Sequence, residues 1–249
     1  MDLFIKKDGD DDMKTNGLKA LTFDVFGTVV DYRSSIIKEC EKLNEMKDLE
    51  LNSPKFADAW RGAYRPNLDR ILSGELSWMN LDSLHLMVLR KLLDEFEINH
   101  LTEEEIIHLN RVWHRLEPWG DAVPGLQRLK QKFIISPLSN GNVSLLTNMA
   151  KHSGLPWDLI LSPEMIKSYK PDPNVYHMAI DFLDLQPNEV MMVAAHQHDL
   201  QAAKKLGMKT AYVFRPLEYG CEAIPNLMPE ENYDVVARDF IDLAQQLGA

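Results

Sequence analysis

The chain has 249 residues, 45% of them apolar and 26% charged, with a formal net charge of −11. That balance is ordinary for a globular protein and allows one large domain or a core with a smaller insert. The acidic surplus argues against nucleic acid and anionic membrane surfaces, which need basic patches, and no apolar run approaches the ~20 residues that span a bilayer.

Residues 1–17, MDLFIKKDGDDDMKTNG, are charged and lack the apolar stretch of a secretory signal, so they read as a flexible arm. KALTFDV (19–25) reads as a short buried strand. From 33 to 117 helical spacing dominates, in IIKECEKLNEM, FADAWRGAYRPNLDRIL, LDSLHLMVLRKLLDEF and TEEEIIHLNRVWHRL. Pro66 predicts a kink or split in the second of these. Thr102 and Glu105 form a capping box at the start of the last.

After Pro118 helices and strands alternate. GLQRLKQ leads into the strand FIISPLSN, VSLLTNMAKHSG into DLILSPE, NVYHMAIDFLDL into EVMMVAA, and DLQAAKKLG into TAYVFR, before a closing helix DFIDLAQQLG. This order implies parallel βαβ units and an α/β, doubly wound, Rossmann-like sheet covered on both faces. The core then comprises 18–32 and 118–249, interrupted by a helical cap over 33–117. Cys40 and Cys221 are too few and too far apart for a disulfide framework or a zinc site, so a reducing, cytoplasmic setting is expected.

Ligands of such sheets bind beyond the carboxyl ends of the strands. Those ends carry Asp24, then Ser139-Asn140, then Lys170-Pro171-Asp172, then Ala194-Ala195-His196 and Asp199. Four polar ends converge on one crevice.

DVFGT, LSNG, YKPDPNVY and VAAHQHDLQAAKKLG, in this order, resemble the haloacid dehalogenase superfamily over residues 19 to about 217, and within it the L-2-haloacid dehalogenase branch. Residue 26 separates the branches. The phosphatases of the superfamily carry a second aspartate there, which protonates the leaving alcohol, and a pair of acids after the fourth strand that helps bind Mg²⁺. Here the residue is Phe26, and the later segment AAHQHD has one acid. Halide needs no proton to leave, so the resemblance implies dehalogenation without metal or other cofactor. The substrate would be a small anionic 2-haloacid, the products a 2-hydroxy acid and halide. A homodimer is also implied as possible.

The resemblance assigns roles residue by residue. Asp24 is the expected nucleophile, attacking C2 to form an ester. Lys170 favours its ionised form. Thr28 and Ser139 are expected to bond Asp24 or the substrate carboxylate, and Phe26 and Tyr176 to contact substrate. Arg61, in Ala59-Trp60-Arg61, is expected to descend from the cap onto the halide with Asn140, Arg65 being its competitor. The family pattern Ser-Ser-Asn is replaced by Ala194-Ala195-His196. An imidazole there suits proton transfer from water near neutral pH, and Asp31 is the expected partner, in either a catalytic or a structural pair. Asp199 could share water activation. His198 is given no chemistry. The rival readings are a Mg²⁺-dependent phosphatase and a repurposed, inactive member.

Overall fold

The structure is a computed structural model. It describes residues 17–221, 229 and 232–249, so the arm expected over 1–17 lies outside the described residues except for Gly17. The chain runs β1 (Ala20–Phe23), β2 (Val30–Asp31), α1 (Tyr32–Lys47), α2 (Ser53–Leu72), α3 (Leu81–Glu95) and α4 (Glu103–Asn110). A 3₁₀ turn (Arg111–His114) precedes β3 (Glu117–Pro118), α5 (Ala122–Leu129), β4 (Ile134–Pro137) and α6 (Val143–Ser153). Then follow α7 (Pro173–Leu183), β5 (Val190–Ala194), α8 (Gln197–Lys205), β6 (Lys209–Val213), β7 (Val235–Ala237) and α9 (Phe240–Gln246).

The main sheet is parallel in the order β4-β1-β5-β6-β7. All residues of β1 and β5 are buried, as two-sided covering requires. Alternation sorts them: Leu21 and Phe23 join a core with Leu126 of α5, Met149 of α6 and Phe240 of α9, while Ala20 faces Val175 of α7 and Leu200 of α8. This is the expected doubly wound core. β1 sits between β4 and β5, with Phe23 opposite both Pro137 and Val193. The residue after Phe23 therefore emerges among the ends of three adjacent strands.

The helical block packs on its own aromatic centre. Trp113 meets Trp60 edge-on at 5.6 Å, stacks on His85 at 4.0 Å, and touches Phe26 of the core at 5.8 Å. The two connections to the core pair with each other, Val30 with Pro118 and Asp31 with Glu117. Between those two connections the chain is helical from Tyr32 to His114 apart from short loops. The capping box of Thr102 and Glu105 is present.

Three local expectations change. The helix α2 runs through Pro66 without a split, its two halves held by buried Trp60 and Leu68 on either side. DLILSPE is not a ladder strand: it makes a single bridge, Leu138 to Leu161. Polar side chains satisfy that edge instead, Ile135 N–H donating to Asp158 at 2.9 Å and Ser136 Oγ to the Leu159 carbonyl at 3.2 Å. At the far edge β7 adds a strand too short to show alternation, registered by Asp234, which accepts from Thr210 N–H at 2.8 Å. Among the described residues no helix is long and apolar enough to cross a membrane.

Candidate active site

Asp24 leaves β1 with its N–H bonded to the Val193 carbonyl at 3.0 Å, which fixes the side chain at the sheet's carboxyl edge. The chain turns at once through Gly27, at φ +86°. A side chain there would be strained, and its Cβ would lie 2.3 Å from Glu218 Oε1. The glycine is therefore what lets Glu218 approach.

Asp24 is buried and both its oxygens are held. Oδ2 accepts from Thr28 Oγ1 at 2.9 Å and faces His196 Nδ1 at 2.8 Å, while Oδ1 accepts from Lys170 Nζ at 3.1 Å. Thr28 Oγ1 in turn accepts from Ala195 N–H at 3.0 Å. Burial by itself would push the Asp24 carboxyl up, but Lys170 and then His196 outweigh it and hold the group well below the usual carboxylate range. Lys170 is raised despite its own burial, by Asp199 and Asp24.

Asp199 has no free oxygen: one accepts from Lys170 Nζ and the other from Tyr176 Oη at 2.6 Å. Its expected share in water activation is not supported by this geometry. Tyr176 is fully buried and lies off the cavity wall, its hydroxyl spent on Asp199. Thr28 likewise serves Asp24 and lies off the cavity wall.

The His196–Asp31 pair is not formed. Asp31 caps α1, accepting from Ser34 N–H at 2.9 Å. A carboxylate just before a helix finds unpaired N–H donors closer than any other partner. The partner of His196 is Glu218, whose Oε1 lies 2.9 Å from Nε2. With carboxylates on both nitrogens the ring must donate from both, and only the imidazolium does so. Burial opposes that charge, but Glu218 and Asp24 outweigh it and push the imidazole up to about 10. Glu218 sits in VFRPLEYG, just beyond β6, another strand end of the kind that located the rest.

Above these groups lies a cavity of about 590 Å³ lined by Asp24, Phe26, Arg61, Tyr64, Ser139 and Lys170 among others. Arg61 reaches it from α2, its guanidinium 4.9 Å from the Tyr32 ring and 4.8 Å from the Tyr64 ring. The competing Arg65 also borders the cavity, but is half exposed and pairs with Asp69 at 2.8 Å. Ser139 borders the cavity, and its Oγ is buried with no hydrogen-bond partner. Asn140 behaves differently. Its Oδ1 accepts from Lys170 N–H at 2.8 Å, and its Nδ2 donates to Tyr64 Oη at 2.8 Å and to the Lys170 carbonyl at 3.4 Å.

The site therefore gathers the ionised Asp24 carboxylate, the Lys170, Arg61 and His196 cations and the Ser139 side chain around one cavity. Both oxygens of Asp199 are already engaged. Among the described residues no group of three or more His, Cys, Asp or Glu side chains is arranged to hold a metal ion.

Comparison with known proteins agrees. Residues 18–207 match the family model of the haloacid dehalogenase-like hydrolases. The chain is 31% identical over 209 residues to (S)-2-haloacid dehalogenase 1 of Pseudomonas sp. (strain CBS-3), covering 81% of this chain and 88% of the relative. It is 28% identical over 242 residues to (S)-2-haloacid dehalogenase 4A of Burkholderia cepacia, covering 86% and 95%. Among solved structures it is similar to the L-2-haloacid dehalogenase PA0810, with TM-score 0.90, 43% identity and 93% and 99% of the two chains covered. It is also similar to the defluorinating L-2-haloacid dehalogenase Rha0230, with TM-score 0.91, 44% identity and 93% and 96% covered.

Proposed function

The chain belongs to the haloacid dehalogenase-like hydrolase family, and from that premise we propose that it is a hydrolase of carbon–halide bonds. It converts short (S)-2-haloalkanoic acids to (R)-2-hydroxy acids through an ester on Asp24. The observation that carries this reading is an Asp24 kept ionised by Lys170 at 3.1 Å, in a cavity that the Arg61 cation also lines.

The substrate carboxylate goes to the unpartnered Ser139 hydroxyl, and the halogen points toward Arg61. Oδ2 of Asp24 is bound by two groups and Oδ1 by one, so Oδ1 is the freer oxygen to attack. It displaces halide at C2 in line, which inverts that carbon. Oδ2 becomes the ester carbonyl, polarised by the Thr28 hydroxyl. Phe26, where a phosphatase needs an acid, suits a leaving group that takes no proton.

Ester formation removes the negative charge of Asp24 from beside His196. The imidazole then loses one of its two carboxylate partners, and its hold on the second proton weakens. Nδ1 then releases its proton to solvent while Nε2–H stays anchored on Glu218. The freed Nδ1, beside the ester carboxyl, takes a proton from the water that attacks Cγ and passes it to the 2-hydroxy acid oxygen as the Cγ–Oδ1 bond breaks. Lys170 receives the regenerated carboxylate. A cytoplasmic setting suits the free thiols of Cys40 and Cys221.

Halide release from a panel of 2-haloacids, with and without EDTA, tests the reading. The expected result is stoichiometric halide and 2-hydroxy acid from (S)-2-chloropropionate, unchanged by chelator. EDTA-sensitive hydrolysis of p-nitrophenyl phosphate with no halide release would instead support a phosphatase.

A further inference from the structure

Tyr64 is the cavity residue whose hydrogen bonding is half complete. It lies three residues after Arg61 on α2, so the two share one helix face, and its ring covers the Arg61 guanidinium at 4.8 Å. Its hydroxyl oxygen accepts from Asn140 Nδ2 at 2.8 Å. Among the described residues that hydroxyl donates to nothing, and the side chain borders the cavity. Asn140 cannot supply a donor to a ligand in this arrangement. Its Oδ1 is fixed by the Lys170 N–H, which sets the amide's orientation, and both N–H groups point to protein oxygens at 2.8 and 3.4 Å.

We propose that Tyr64 is a specificity-determining residue for the leaving halogen: its O–H, backed by Asn140, donates to the departing halide beside Arg61. The inference rests on the dehalogenase reading and replaces the direct Asn140–halide contact expected from the sequence. In the first step the Oδ1–C2 bond forms as the C–X bond breaks. The halide leaves with the bonding electron pair, and the tyrosine proton stays on its oxygen throughout. A donor that is itself accepting a hydrogen bond is polarised and becomes stronger. The halogens differ in how much they need it. Fluoride is small, concentrates its charge and leaves from the strongest carbon–halogen bond. Bromide is diffuse and leaves readily. An O–H aimed at the departing ion therefore matters most for C–F cleavage, where charge develops against the greatest barrier. The guanidinium alone, 4.9 and 4.8 Å from the Tyr32 and Tyr64 rings, supplies positive charge of a more diffuse kind.

The test is Tyr64→Phe, which keeps the ring over Arg61 and deletes the hydroxyl. Ester formation is measured by single-turnover halide release from fluoroacetate, chloroacetate and bromoacetate under saturating substrate. The expected loss is graded, at least about 100-fold for C–F and no more than about tenfold for C–Br, in line with the loss of one oriented donor. Bromide release by the variant also shows that the site is intact, so a failure of this proposal is distinguishable from a failure of the dehalogenase reading. A loss of equal size for all three halogens, complete loss included, or an unchanged fluoride-to-bromide ratio would overturn it.

Discussion

Asp24→Asn loses halide release from (S)-2-chloropropionate by at least about 10⁴-fold, the scale on which a nucleophile's removal is felt. An amide oxygen is a poor nucleophile, and here its environment works against it further. The carboxylate faces two cationic donors, Lys170 at 3.1 Å and His196 at 2.8 Å, and an amide must turn its NH₂ toward one of them. The fold should survive the change, because Lys170 keeps Asp199 and His196 keeps Glu218 as partners. Circular dichroism and a substrate-induced shift in melting temperature check that the variant is folded and still binds the acid. Turnover within tenfold of the parent, in a variant free of deamidation by mass spectrometry, contradicts the nucleophile assignment.

The second large effect separates the two half-reactions. His196→Ala is expected to release one halide per site and then stall, with ester hydrolysis slowed about 10²–10⁴-fold, the usual contribution of general base catalysis. Intact-protein mass spectrometry after mixing with substrate should find the chain heavier by the carboxyalkyl group, located on the peptide that holds Asp24. The sign of the pH dependence follows from the same ring. His196 is raised to about 10 while Asp24 carries its charge, with burial opposing and Glu218 and Asp24 prevailing. In the ester only Glu218 still raises it, so its pKa falls below that value. The protonated ring cannot accept from water. Ester hydrolysis must therefore be slow at acid pH, rise as the ring deprotonates, and level off above that pKa. Glu218→Gln removes the remaining charge and should move the rise to lower pH while lowering the plateau. Single-turnover hydrolysis with the same pH profile in wild type and Glu218→Gln would remove the dyad from the chemistry.

How much of this could be read in the residues alone depends on range. Asp24, Lys170, His196, Asp199, Ser139 and Arg61 were legible because strand ends and motif spacing place them, and a parallel sheet brings its carboxyl ends together whatever the details of packing. The four helices between Tyr32 and Asn110 were legible from their spacing. The partners of those side chains were not. Asp31 is near Asp24 in sequence, yet the N–H groups at the start of α1 claim it first. Glu218 lies far along the chain and reaches His196 only because Gly27 leaves room for it. Tyr64 carried no motif, and its place follows from sharing a helix face with Arg61. Tyr176 matched a family position but supports Asp199 from behind. A position that depends on a strand end survives translation from sequence to structure; a role that depends on which of two near neighbours wins a hydrogen bond does not, as Asn140 and Asp199 show.

The covalent route through Asp24 is tested most directly by one turnover in ¹⁸O-water with enzyme in excess over (S)-2-chloropropionate. Water attacks Cγ of the ester, so the oxygen that leaves with the product is one that Asp24 already held. The expected result is ¹⁸O in the peptide containing Asp24 and unlabelled 2-hydroxypropionate. Label in the product of that first turnover, with an unlabelled Asp24 peptide, would mean that water attacks C2 itself and would contradict the ester mechanism.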